Sequence, residues 1–131
     1  TRDFEISLKK LIEVISQKKY GADWENKLKD ELRKNDPKMI EECEKRIARE
    51  GWRGKTFLDA MFFPNMINII LNWKWDWFQS VFKDFKRKDL RIDFERIHEF
   101  RNMAAHHYQI IPEEADLIEA HTKFYLKQIN N

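Results

Sequence analysis

Apolar residues recur every three or four positions along most of this 131-residue chain, and this spacing constrains the fold more than any other feature. In the first segment they are Phe4, Leu8, Leu11, Ile12 and Ile15. Only three Gly and three Pro occur, too few for the many tight turns of an all-β fold. We therefore predict an all-α fold, an antiparallel bundle of five to seven helices that forms a single domain over residues 1–131.

The first three predicted helices span residues 3–19, 23–34 and 37–50, and a largely apolar helical segment follows at 57–82. The next predicted helix begins at residue 89 or 93 and ends at 106 or 107, and the last one begins at residue 112. Pro64 should kink or split the apolar segment because proline lacks the N–H that a helix interior needs. Trp73, Trp75 and Trp77 alternate as in a strand, but their flanks are helical, so we favour a helix. We expect these rings in the core; stacking on nucleic-acid bases is the alternative.

Charge and cysteine content narrow the class of protein. The net charge of +2 is only a weak indication of an anionic partner. The single cysteine, Cys43, excludes an intramolecular disulfide and favours an intracellular protein, cytoplasmic or, in a eukaryote, nuclear. It lies between two glutamates with no metal-binding cluster around it, so we interpret it as a structural thiol and expect no metal or other cofactor.

We expect no membrane partner, and we expect this chain to be part of a larger protein. No apolar stretch approaches the ~20 residues that cross a bilayer. The chain begins with Thr1 rather than Met, so we expect further domains of a larger parent protein.

A basic segment, residues 83–91, precedes the fifth predicted helix. The favoured interpretation is a solvated loop and helix end. The alternative is a contact with an RNA backbone through Lys83, Lys86, Arg87 and Lys88.

The stretch from Arg101 to Tyr108 carries the chemistry. Arg101, Asn102 and His106 place a permanent cation, an amide and a group that titrates near neutrality within about one and a half helical turns. At about 100° per residue, one face of this helix is apolar. That face holds Phe94, Ile97, Phe100 and Ala104, whereas Glu95, His98, Asn102 and His106 lie on the opposite side. The polar stripe must therefore face solvent, another helix or a second copy of the chain.

The order Arg-Asn-x-x-Ala-His at residues 101–106 resembles the Arg-x4-6-His signature of the HEPN superfamily of helical-bundle domains. The context is also similar: Met66-Ile67-Asn68-Ile69-Ile70, then large aromatic residues, then the Arg-Asn helix, then Pro112 opening a last helix. The likeness covers about residues 57–130 and is greatest to HEPN domains appended to larger proteins, including nuclear transcript-surveillance endonucleases. The N-terminal helices match only as generic amphipathic elements.

A second branch of that superfamily, the HepT-type toxins, carries Arg-x4-His-x-Tyr, which Arg101, His106 and Tyr108 satisfy. In that branch an antitoxin partner modifies the tyrosine. The resemblance thus implies Tyr108 as a site of modification or substrate contact, with His107 beside it, although a helix-end role is the favoured interpretation for His107. The rest of the chain fits this branch less well.

What the resemblance implies is metal-independent cleavage of RNA at a homodimer interface. His106 would move a proton, Arg101 would stabilise charge on the phosphoryl oxygens, and Asn102 would orient His106 or bind phosphate. A helical module that binds RNA or dimerises without catalysis is the alternative.

Structural roles compete for the same residues. Arg101 would then pair with a carboxylate and His106 would sit at a helix C-terminus, where the dipole favours a cation. For Glu95 and His98 we favour exposed surface over an extension of the site, and we expect His121 to pack at the edge of the bundle.

Overall fold

A computed structural model describes residues 2–105 and 112–130, and in these ranges the chain is helical with no strand. The α-helices are α1 (Arg2–Tyr20), α2 (Trp24–Asn35), α3 (Pro37–Ile47), α4 (Phe63–Ile67), α5 (Trp75–Phe78), α6 (Arg87–Ala105) and α7 (Pro112–Asn130). The other helical elements of these ranges are short 3-10 helices at Gly21–Asp23 and Phe57–Ala60 and a π-helical turn at Asn68–Trp73. The predicted all-α bundle is confirmed.

Phe4 of α1 lies at the centre of the packing. Its ring contacts Phe63 of α4, Phe94 of α6 and Tyr125 of α7, with centroid separations of 5.9, 5.2 and 6.1 Å. Phe4, Phe63 and Phe94 are almost completely buried. Burial of these large rings removes much apolar surface from water, so the cluster stabilises the packing of α1 against α4, α6 and α7.

The central apolar segment is buried, as predicted, but it is not one helix. Pro64 lies in the first turn of α4, where its missing N–H costs nothing, so the predicted split is confirmed. Side chains also cap the pieces: the Asp59 carboxylate accepts from the backbone N–H groups of Lys55 and Thr56, and Asn65 accepts from that of Phe62. Trp73, Trp75 and Trp77 are helical and partly buried.

Two predicted helix ends are wrong. The helix α3 ends at Ile47 rather than Glu50, because Arg49 N–H bonds back three residues to the Arg46 carbonyl, and Gly51 then takes a φ of 84°. The helix α6 begins at Arg87 rather than at Asp89 or Asp93, because the Lys86 carbonyl already accepts from the N–H groups of Asp89 and Leu90. Arg87 and Lys88 therefore lie in the first turn of α6.

The buried stripe of α7 is narrower than the apolar spacing predicts. That spacing places these residues on it: Leu117, Ile118, His121, Phe124, Tyr125 and Ile129. Ile118, Thr122 and Tyr125 are buried, whereas Leu117 and Phe124 are 46% and 51% exposed. Thr122 fits the stripe because its hydroxyl donates to the Ile118 carbonyl at 2.8 Å, which satisfies its polar group.

Within the described ranges, none of the helices combines the length and the apolar character that crossing a bilayer requires.

Two leucines give a matched test of this packing. Leu90 of α6 is fully buried and Leu117 of α7 is half exposed. We expect Leu90→Ala to lower the free energy of unfolding by about 2–5 kcal/mol, because it removes buried methyl groups and leaves a cavity. Leu117→Ala should change it by less than about 0.5 kcal/mol. Urea denaturation measures both, and equal losses would contradict this assignment of the core.

Candidate functional site

Arg101 lies in the last two turns of α6 and contacts Glu5 of α1. Its Nε is 3.2 Å from Glu5 Oε2; the arginine side chain is 44% exposed, and that of Glu5 only 12%. Glu5 follows Phe4, so burial of the Phe4 ring fixes the place of the carboxylate. A guanidinium has five N–H donors, so an arginine anchored through Nε keeps donors for a second anion.

Asn102, the next residue, is exposed and contacts His98 one turn earlier on α6. Asn102 Nδ2 is 3.3 Å from His98 Nε2. The imidazole stacks on Phe63 with centroids 5.3 Å apart and planes inclined by 7°. His98 is thus partly buried and fixed against the aromatic core, which corrects the expectation of an exposed surface histidine.

The surroundings of His98 keep its ring neutral. Burial and the Arg101 guanidinium hold the pKa of His98 below its ordinary value of 6.5, and the Glu5 carboxylate acts in the opposite direction. The Nδ1 atom is buried without a hydrogen-bond partner among the described residues. A neutral imidazole has one N–H and one acceptor nitrogen, so Nε2 can accept from the Asn102 amide.

The structure describes two of the three predicted catalytic residues, Arg101 and Asn102, which are neighbours in the chain. The third, His106, lies outside the described residues, as do His107 and Tyr108. Their predicted roles stay predictions.

The four cations of the basic segment that could contact RNA are exposed: Lys83, Lys86, Arg87 and Lys88. Arg87 Nη1 also donates to the Leu71 carbonyl at 3.5 Å. Exposed cations can be solvated by water or can contact the phosphates of an RNA backbone, so both interpretations of this segment stay open.

Other ionisable groups on the same helices serve packing. Asp93 of α6 accepts a hydrogen bond from the Tyr125 hydroxyl, and its other oxygen is 3.6 Å from His121 Nδ1. Burial and Asp93 raise the pKa of the Tyr125 phenol, so it stays protonated and donates. This contact links α6 to α7 and leaves His121 partly exposed, as expected for the bundle edge.

Cys43 is buried on α3, and burial raises the pKa of its thiol. Since the thiolate is the nucleophile, both facts agree with a structural role.

Sequence reasoning missed Glu5 and Phe63. Both are distant from the motif in the chain, and neither belongs to a local pattern that signals it. The spacing of His98 and Asn102, four residues apart, was the one available signal, since such residues are neighbours on a helix.

Among the described residues, no three His, Cys, Asp or Glu side chains form a group that could hold a metal ion. Comparison of the chain with protein-family models, with curated proteins and with solved structures found no match. The resemblance to HEPN domains therefore stays a prediction from the sequence pattern.

The depressed pKa of His98 predicts a dependence of stability on pH. The unfolded chain binds the proton more readily than the folded one, so stability should fall as the pH drops through the ordinary value of 6.5. In His98→Phe, which retains a ring over Phe63, this component should disappear, whereas the matched His121→Gln should retain it. Urea denaturation from about pH 7.5 to about pH 5 measures the slopes. An unchanged slope in His98→Phe would refute the assignment.

The two charges beside His98 should move its pKa in opposite directions. Arg101→Gln removes a neighbouring cation and should raise the pKa of His98, whereas Glu5→Gln removes an anion and should lower it. An NMR titration of the imidazole measures both, with Lys45→Gln on α3 as a remote control. Shifts in the same direction would show that the Arg101–Glu5 contact does not reach His98.

Proposed function

We propose that this chain is a metal-independent endoribonuclease of the HEPN type, in which Arg101, Asn102 and His106 cut RNA at an interface between two copies. One observation carries the proposal. Arg101 and Asn102 are adjacent and exposed near the end of α6, and each is held by a partner within the fold, Glu5 and His98. A cation and an amide held in place before a ligand arrives need little rearrangement to bind it.

The proposed reaction uses the RNA's own nucleophile. The ribose 2′-oxygen attacks the adjacent phosphorus, the bond from phosphorus to the 5′-oxygen breaks, and the products end in a 2′,3′-cyclic phosphate and a 5′-hydroxyl. One histidine takes the 2′ proton and another gives a proton to the leaving oxygen. Two copies related by a two-fold axis supply His106 twice, one as base and one as acid.

Arg101 has the electrostatic role. Negative charge grows on the non-bridging oxygens as the 2′-oxygen adds, and a guanidinium donates forked hydrogen bonds to such oxygens. The Glu5 carboxylate holds Arg101 through Nε, which limits the positions that the guanidinium can take.

The Arg101–Glu5 contact also favours a second function, an RNA-binding or dimerisation module without catalysis. A carboxylate at 3.2 Å offsets much of the arginine's positive charge, as expected for an ion pair that serves the fold. In that case Arg101 would contribute to affinity and stability only.

The two functions separate in a cleavage assay. A pool of single-stranded and structured RNA is incubated with the protein in excess EDTA, and the product ends are identified. We expect wild-type cleavage with cyclic-phosphate ends. His106→Ala should slow it by about 10²–10⁴-fold and Arg101→Ala by about 10²–10³-fold, with RNA binding retained in His106→Ala.

A matched control guards against a contaminating nuclease and a general loss of charge. Arg53 is an exposed arginine in the turn after α3, and Arg53→Ala should cleave like wild type. Cleavage that survives in His106→Ala, or that needs a divalent cation, would contradict the proposal. No cleavage by any variant, with RNA affinity weakened by Arg101→Ala, would establish the binding module instead.

A further inference from the structure

The contact between His98 and Asn102 occupies one end of the asparagine amide. In the structure the NH₂ group, Nδ2, is the end turned toward His98 Nε2, at 3.3 Å. The carboxamide oxygen is on the other branch, and Asn102 is exposed. An asparagine held in this way keeps its carboxamide oxygen, along with the second N–H of the NH₂ group, for a ligand.

The aromatic core holds the histidine in turn. The imidazole lies parallel to the Phe63 ring with centroids 5.3 Å apart, and Phe63 is buried against Phe4. If the Asn102 amide donates to Nε2, the ring proton lies on Nδ1, which is buried without a hydrogen-bond partner among the described residues. The chain of contacts from Phe4 through Phe63 and His98 to Asn102 thus runs from the core to the surface.

The adjacent Arg101 suggests what the acceptor meets. In RNA the 2′-hydroxyl and the 3′-phosphate are attached to neighbouring carbons of one ribose. A guanidinium binds the phosphate, and an acceptor beside it meets the hydroxyl, which is the only donor that distinguishes RNA from DNA at that point.

We propose that His98 is a positioning residue that holds the Asn102 carboxamide oxygen outward as the acceptor for a ribose 2′-hydroxyl, so that the pair selects RNA over DNA. The proposal rests on RNA as the ligand of the proposed function. It goes beyond that function because it assigns a substrate group to Asn102 and a role to a histidine outside the motif.

The charges around His98 agree with this role. The groups that face it are Glu5 from α1, Arg101 from α6 and the apolar ring of Phe63 from α4. Burial and Arg101 keep the pKa of His98 below its ordinary value, so the ring is neutral at neutral pH. A protonated ring would lose the acceptor and release the amide.

The test measures binding, with cleavage removed. In a His106→Ala background, the affinities for one single-stranded RNA, its 2′-O-methyl form and the DNA of the same sequence are compared in EDTA. We expect RNA to bind about tenfold more tightly than the other two, as one hydrogen bond to a well-placed acceptor allows. The 2′-O-methyl strand matters because its oxygen cannot donate.

Two substitutions at residue 98 separate the hydrogen bond from the packing. His98→Phe retains a ring over Phe63 but has no acceptor, and the ratio of RNA to DNA affinity should fall to about one, as in Asn102→Ala. His98→Gln has an acceptor oxygen and should retain part of the ratio. Equal midpoints of thermal unfolding for the His106→Ala protein with and without His98→Phe would show that the fold is intact.

Three results would overturn the proposal. The first is an unchanged ratio of RNA to DNA affinity in His98→Phe, and the second is equal binding of RNA and DNA by the His106→Ala protein. The third is NMR evidence that the His98 proton is on Nε2. The outcome is distinct from that of the proposed function. Wild-type cleavage with an unchanged ratio in His98→Phe would refute only the role of His98. A ratio that falls in His98→Phe, with no wild-type cleavage, would refute only the nuclease.

Discussion

Burial of the Phe4 ring is the interaction on which the rest of the structure depends. The ring touches one aromatic side chain from each of α4, α6 and α7, so it fixes the N-terminal helix against the helix that carries the motif. It also places the two neighbours of the candidate site. Glu5 follows Phe4 in the chain and contacts Arg101. Phe63 contacts Phe4, and it also stacks on His98. The polar site is therefore built directly on the hydrophobic core.

The Arg101–Glu5 pair has both a structural and a chemical consequence. The Glu5 side chain is only 12% exposed, and a carboxylate that has lost most of its water needs a counter-ion. The same contact restrains a long side chain that would otherwise occupy many rotamers. A requirement of the fold thus produces an arginine that is anchored at one side and exposed at the other. The pair also links the pKa of His98 to both charges, since the imidazole lies within reach of each.

Local patterns in the sequence were enough for the helical bundle and for much of its core, because amphipathic spacing alone determines which face of a helix is buried. They failed where side chains or tight turns override the spacing. The segment at 57–82 is largely apolar, so periodicity alone could not locate its breaks. Pro64 predicted one of them, and Asp59 and Asn65 stabilise the new helix starts by capping backbone N–H groups. The motif predicted Arg101 and Asn102, but only one of the residues around them could be predicted from the sequence. His98 lies four residues from Asn102 and was visible as a neighbour, whereas Glu5 and Phe63 meet the site only through tertiary packing.

The balance of charge at this site indicates how it would recognise a nucleic acid. Proteins that bind nucleic acid mainly through electrostatics present many unopposed cations, whereas this chain has a net charge of +2 and its motif arginine faces a carboxylate. A phosphate that approaches Arg101 therefore gains less from charge than from the direction of the free N–H groups. The neighbouring Asn102 adds a second directional contact that carries no charge. Recognition by this pair would therefore depend on hydrogen-bond geometry rather than on overall attraction.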